Sequence, residues 1–301
     1  RDPPRRLRLT APHASKRRFV HDFGRYERLH SAQICAQTVA CGGLAPTLVH
    51  IRHHRVMRSP TPLPRELAGR PISVSEANGA GISRERLRRR DLAAPFNGVR
   101  SPIGGDDTRT LTDPPGIAAD STYWAETRTL ALARAHAFQR KLSENVVFSH
   151  TTAAHLHGFY LPAHLASDLT VHVSTAVRGL RPRTRGVRSH LVPVDRVAVV
   201  VLDGLLATAP LDTWCMLAPL LTLDQTVVIA DLLMERNHPV ASPHDLANAV
   251  RSHAGRHGAR MLRAALPLAR ERTDSPKETE LRLVLVRADL PEPLINHPVL
   301  N

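Results

Sequence analysis

Pro71-Ile72-Ser73-Val74-Ser75-Glu76-Ala77 runs into Gly79 and Gly81, and Ser83-Arg84-Glu85-Arg86-Leu87-Arg88-Arg89-Arg90-Asp91-Leu92 follows; Ala94-Pro95-Phe96-Asn97-Gly98-Val99-Arg100 closes the stretch. These thirty residues decide the reading of the fold. A serine beside Glu76 and Ala77 predicts a short capped helix, because its hydroxyl satisfies the orphan amides of a first turn. Gly79 and Gly81 predict its end. Ser83 predicts a second cap, opening a helix at 83–91 with five arginines against Glu85 and Asp91. Asn97-Gly98 is a hairpin signal, since both residues tolerate the positive φ of a primed turn.

Helix, turn, arginine-rich helix and hairpin predict, in that order, a winged helix-turn-helix. The second helix of such a unit enters the major groove, where guanidinium groups meet phosphates and guanine edges. Arg84, Arg86, Arg88, Arg89 and Arg90, with Arg100 from the hairpin, are therefore the candidate nucleic-acid contacts. The competing reading is a solvated helix face, which is what most charge runs are.

Residues 104–120 read as a Gly/Asp/Thr/Pro-rich connection. A helix is expected over 121–141, carried by Trp124, Leu130, Leu132 and Phe138, then a strand at 145–148 and a short helix through Gly158. Leu169–Ser174 and Val187–Val194 alternate like strands. The arginine-rich segment between them predicts a hairpin with a long cationic tip, so Arg181, Arg183 and Arg185 are further phosphate-contact candidates; a mobile solvent loop is the alternative. Val197–Leu202 reads as a strand, and 211–235, 243–268 and 275–288 as helices.

Enzymatic signatures are sparse. There is no glycine-rich phosphate loop and no GxSxG elbow. His150, His155 and His157 invite a metal reading, but residues two apart on a helix point away from each other, and no zinc-type spacing occurs. No metal site is expected at these histidines. Cys215, among Trp214, Met216 and Leu217, reads as core. Ser275-Pro276-Lys277-Glu278 has the form of a capping box, complete without any catalytic role.

Composition bounds the rest. The 301 residues suggest about two domains, and 42% apolar with 23% charged residues is a globular balance. The net charge is +14, and 38 of the 41 cations are arginine, whose planar fork suits oxyanions. Three cysteines, Cys35, Cys41 and Cys215, exclude a disulfide scaffold and fit a reducing cytoplasm. No apolar run reaches the ~18 residues of a membrane helix, so no membrane partner is expected. The first 56 residues carry net +8 and 6 of the 18 histidines without any persistent period. They read either as upstream sequence preceding a start at Met57 or as a disordered basic arm.

Two segments resemble a known family. Met57-Arg58-Ser59 through Gly98-Val99-Arg100-Ser101-Pro102, and Phe148-Ser149-His150-Thr151-Thr152-Ala153-Ala154-His155-Leu156-His157-Gly158, are similar to actinobacterial proteins related to the AbiEi-type antitoxins of abortive-infection systems. Val171-His172-Val173 and Leu205-Leu206-Ala207-Thr208-Ala209-Pro210 look like the same middle domain. The tail from Arg272 to Asn301 resembles the opening of a nuclease domain of the very-short-patch-repair type, in the PD-(D/E)xK superfamily, through Ser275, Glu278 and Leu281-Arg282. The resemblance implies DNA as partner, and a cognate toxin if the chain is an antitoxin.

It also implies an endonuclease parent using Mg²⁺, with Glu278 in a supporting role. In such nucleases the metal-binding carboxylates follow this helix, so this chain is expected to hold no cofactor and not to cut. The other implied function is a non-enzymatic antitoxin-like transcriptional repressor of a toxin–antitoxin or abortive-infection system. The expected architecture is α+β. An extension at 1–56 precedes a winged-helix-like domain at 57–110 and a central α/β domain at 111–271. The start of a restriction-endonuclease-like α/β domain follows at 272–301.

Overall fold

The computed structural model describes residues 60–103, 122–192 and 197–296. The expectations for 1–56, for 104–120 and for the end of the tail fall outside the described residues. All described residues belong to the unit Met57–Asn301. Its architecture mixes helix and sheet, the expected α+β class. Among the described residues no helix is long and apolar enough to cross a membrane.

The arginine-rich stretch builds a small three-stranded sheet. β1 (Ile72–Ser73), β2 (Leu92–Ala93) and β3 (Val99–Pro102) lie in the order β1-β3-β2, all antiparallel. α1 (Val74–Gly79) follows β1 directly. Ser73 caps it in a reciprocal box, its hydroxyl accepting from the Glu76 amide while the Glu76 carboxylate accepts from the Ser73 amide. The helix expected at 83–91 shrinks to a 3-10 turn, Arg86–Arg88. The Ser83 hydroxyl accepts from the Arg86 amide at 3.2 Å, but the residue at the cap of the turn is Glu85, without a side-chain cap bond. Arg89 is already extended at ψ 153°. Arginines at 84, 86, 88, 89 and 90 would repel along a continued helix, and the turn is held instead by buried Leu87.

The hairpin signal is also corrected. β2 and β3 are joined by five residues, 94–98, not two. Gly98, at φ +79°, sits third in a turn closed by the Val99 amide on the Phe96 carbonyl. That is where a type II turn requires glycine.

The central sheet has five strands in the order β6-β5-β4-β8-β7. They are β4 (Val147–Phe148), β5 (Val171–Thr175), β6 (Val187–Leu191), β7 (Val199–Leu202) and β8 (Leu205–Thr208). β5 and β6 run parallel, in register from Val171↔Val187 to Thr175↔Leu191, so the expected cationic hairpin is a crossover. β8 escaped the sequence reading. It pairs antiparallel with β7 across Asp203-Gly204, both at positive φ (47° and 74°), the signature of a type I′ turn.

α2 (Thr122–Gln139) and α3 (His150–His157) pack on this sheet, with Phe138, Phe148, Ala153 and Val173 in one core that also takes Phe96 and Val99 from the smaller sheet. A short α4 (Ala163–Ala166) leads into β5. A second core surrounds Trp214, Leu217, Ile229 and Leu246. It is built by α5 (Pro210–Leu217), α6 (Leu223–Leu233), α7 (Pro243–Ser252) and α8 (Ala259–Ala265). The two long helices expected here are each split. Pro219 lies in a 3-10 turn and Thr222 opens a new capping box with Gln225, which divides the first. Gly255 and Gly258, at φ +75° and +89°, divide the second. α9 (Pro276–Arg287) forms as expected and lies against α6.

Candidate nucleic-acid interface and a histidine cluster

The capped turns fix which arginines are available. Arg86 forks onto Asp91 (3.0 and 2.7 Å) and bonds the Thr61 carbonyl. Arg89 pairs with Glu85 at 2.8 Å on the surface. Arg100 donates to the carbonyls of Leu87 (2.7 Å) and Val99. Arg86 and Arg100 therefore brace the small domain, while Arg89 stays on the surface in an exposed pair. Arg84, Arg88 and Arg90 are exposed and carry no ion pair among the described residues. Arg84 and Arg88 flank a shallow cleft with Asn78, Asn97 and Gly98. In the crossover between β5 and β6, Arg181 donates to the Ser189 carbonyl, while Arg183 and Arg185 are exposed.

The tail carboxylates are engaged. Glu278 accepts from the Asp274 amide, and its own amide donates to Ser275, so the pair caps α9. Glu280 pairs with Lys277, and Glu292 bridges Arg270 and Arg282. This donor set does not suit a Mg²⁺ site, which needs several converging oxygens. Cys215 is core as expected; burial pushes its thiol up to about 12, leaving it inert.

Sequence reasoning missed one constellation. His150, His172 and His190 come together, with a ligand atom of each within 4.8 Å of the others. His155 and His157 take no part. His155 is buried with Nε2 unpartnered, and His157 Nε2 bonds the Thr208 carbonyl. The cluster was illegible because its spacing is set by topology. The parallel register pairs His172 with Arg188 and Ser174 with His190, putting both histidines on one face of β5–β6. β4 lies on the other side of β5 and delivers His150 at the start of α3.

His150 holds φ +49°, a left-handed conformation uncommon for a side-chain-bearing residue. His190 Nε2 lies 3.2 Å from His172 Nδ1, and the His150 and His190 rings stack at 3.7 Å. His150 Nδ1 contacts Ser149 Oγ, which also accepts from Ser174 Oγ. Burial, then the neighbouring histidines and Arg188, hold His150 down to about 2 and His172 to about 4; for His190, at about 4, the second cause is Arg188 with Arg181. All three are neutral imidazoles at neutral pH.

Among known proteins, the chain is similar to two uncharacterized proteins of Mycobacterium tuberculosis, Rv2248 of strain H37Rv and MT2308 of strain CDC 1551. Each is 32% identical over 149 residues, 49% of this chain and 51% of the relative. The chain thus matches about half the length of these curated relatives. No family model matches the chain, and no solved structure matches it.

Proposed function

We propose that this is a DNA-binding protein of the winged helix-turn-helix kind, acting in the cytoplasm as an antitoxin-like repressor. The observation that carries the reading is the order β1-α1-turn-β2-β3 with the sheet arranged β1-β3-β2, presenting Arg84, Arg88 and Arg90 outward from its second helical turn. In that topology the second turn and the β2–β3 loop reach the duplex together, one at the major groove and one along the backbone. Because the available arginines are point contacts on a short turn, phosphate attraction dominates over base reading. The nuclease parent with bound Mg²⁺ is the weaker alternative, since Glu278, Glu280 and Glu292 are committed to capping and ion pairs.

The test is fluorescence anisotropy with duplex DNA. Replacing Arg84, Arg88 and Arg90 together by alanine should reduce affinity by roughly tenfold or more. Replacing Arg86 alone, whose fork is held by Asp91, should act on stability instead. Unchanged affinity in the triple variant refutes the arginine-turn interface. Loss only on changing Arg181, Arg183 and Arg185 would place DNA on the β5–β6 crossover.

A further inference from the structure

We propose that His150, His172 and His190 bind one transition-metal ion of the zinc class, with a fourth coordination position open to the adjoining cleft. Three imidazoles converge from α3, β5 and β6. A tetrahedral ion with bonds of about 2.0–2.1 Å sets its nitrogen ligands roughly 3.3 Å apart. The His172–His190 pair already stands at 3.2 Å, and His150, stacked on His190 at 3.7 Å, brings a ligand nitrogen within 4.8 Å of both.

Two further features fit a ligand set better than a packed core. The facing nitrogens of His172 and His190 leave both rings at most one proton to share, so a cation between them replaces a weak contact by two bonds. Ser149 Oγ, 3.0 Å from His150 Nδ1, can accept that N–H and turn the Nε2 lone pair toward the ion. This is how metal-bound histidines are oriented from behind. Ser174 holds the serine in place at 2.7 Å. The left-handed backbone at His150, uncommon for a side-chain-bearing residue, carries the ring to its two partners.

Among the described residues the cluster holds no carboxylate ligand; Arg181 and Arg188 stand nearby, and Asp168 acts on His172 from a distance. Three neutral ligands leave the full charge of the ion uncompensated, so the fourth ligand is an oxygen anion or a polarised water. The cleft beside the cluster, about 600 Å³, receives His150 and His190 on one wall and Arg181, His253 and Arg256 around it. Its cationic rim fits a small oxyanion bound to the metal.

The experiment uses the full chain, stripped with a chelator and titrated with Co²⁺ and then Zn²⁺ alone. The expected result is one tight equivalent per chain, with the strong visible bands of four-coordinate Co²⁺ and their loss on displacement by Zn²⁺. His190→Gln, on a half-exposed strand position, should keep the circular dichroism of the wild type and weaken that equivalent at least about tenfold. His253→Gln, across the cleft, should leave it intact. The proposal is overturned if the folded wild type binds no equivalent tightly, or if the tight equivalent and its spectrum persist in folded His190→Gln. DNA binding is read separately, so failure here leaves the arginine interface untouched.

Discussion

Asp231 shows how a single side chain can fasten an element. It is fully buried on α6, where its carboxylate accepts from Arg282 (2.7 Å), Thr279 (2.8 Å) and the Arg270 amide (2.7 Å). Arg282 is buried too and reaches Glu292 with its other nitrogen. Removing one partner strands the other charge in the core. Arg282→Met should cost about 3–5 kcal/mol, read as a lower urea midpoint. A loss below about 1 kcal/mol would mean water already reaches the pair.

His155 makes a pH prediction at the same scale. Burial, then Arg128, holds it down to about 4 against an ordinary 6.5, although a backbone bond at Ala166 pulls the other way. The fold keeps the ring neutral while the unfolded chain protonates below about pH 6.5. Its contribution is therefore complete above that pH and is lost as pH falls from about 6.5 toward 4. The slope reaches at most ~1.4 kcal/mol per pH unit. Urea midpoints between pH 7 and 5 should fall less steeply, by about one proton, in His155→Gln. Equal slopes would show that the ring is protonated in the fold.

At the scale of elements, caps were legible, while the breaks inside long helical patterns and the partners of strands were not. Ser73, Ser242 and Ser275 each cap where a serine precedes a helical pattern. Pro219 and the glycines of 255–258 divided long patterns, because periodicity continues through a break that only backbone chemistry reveals. The parallel pairing of β5 and β6 was hidden, since alternation fixes a strand's faces but not its neighbour's direction. Gly258 tests the break. Its φ is +89°, and a Cβ there would stand 2.8 Å from Pro219 Cδ. Gly258→Ala should destabilise by roughly 1–3 kcal/mol, measured as a drop in Tm; an unchanged Tm would show that the α5–α6 and α7–α8 junctions do not press together there.

For the whole molecule, the arginine face was visible as a run of letters, but its working subset was not. Six arginines between 84 and 100 look equivalent until Asp91 and the Leu87 carbonyl take Arg86 and Arg100 and Glu85 pairs with Arg89, leaving Arg84, Arg88 and Arg90. The histidine cluster was invisible for the opposite reason, its members lying 22 and 18 residues apart and meeting only through the sheet. DNA binding through the remaining arginines is the central claim, and its most direct measurement is the salt dependence of affinity. Plotted as log K against log salt, binding to duplex DNA should fall linearly, with a slope of about −0.9 for each phosphate neutralised. Alanine at Arg84, Arg88 and Arg90 should make that slope shallower by up to about 2.7. A slope near zero in the wild type, or one identical in the triple variant, would contradict the account.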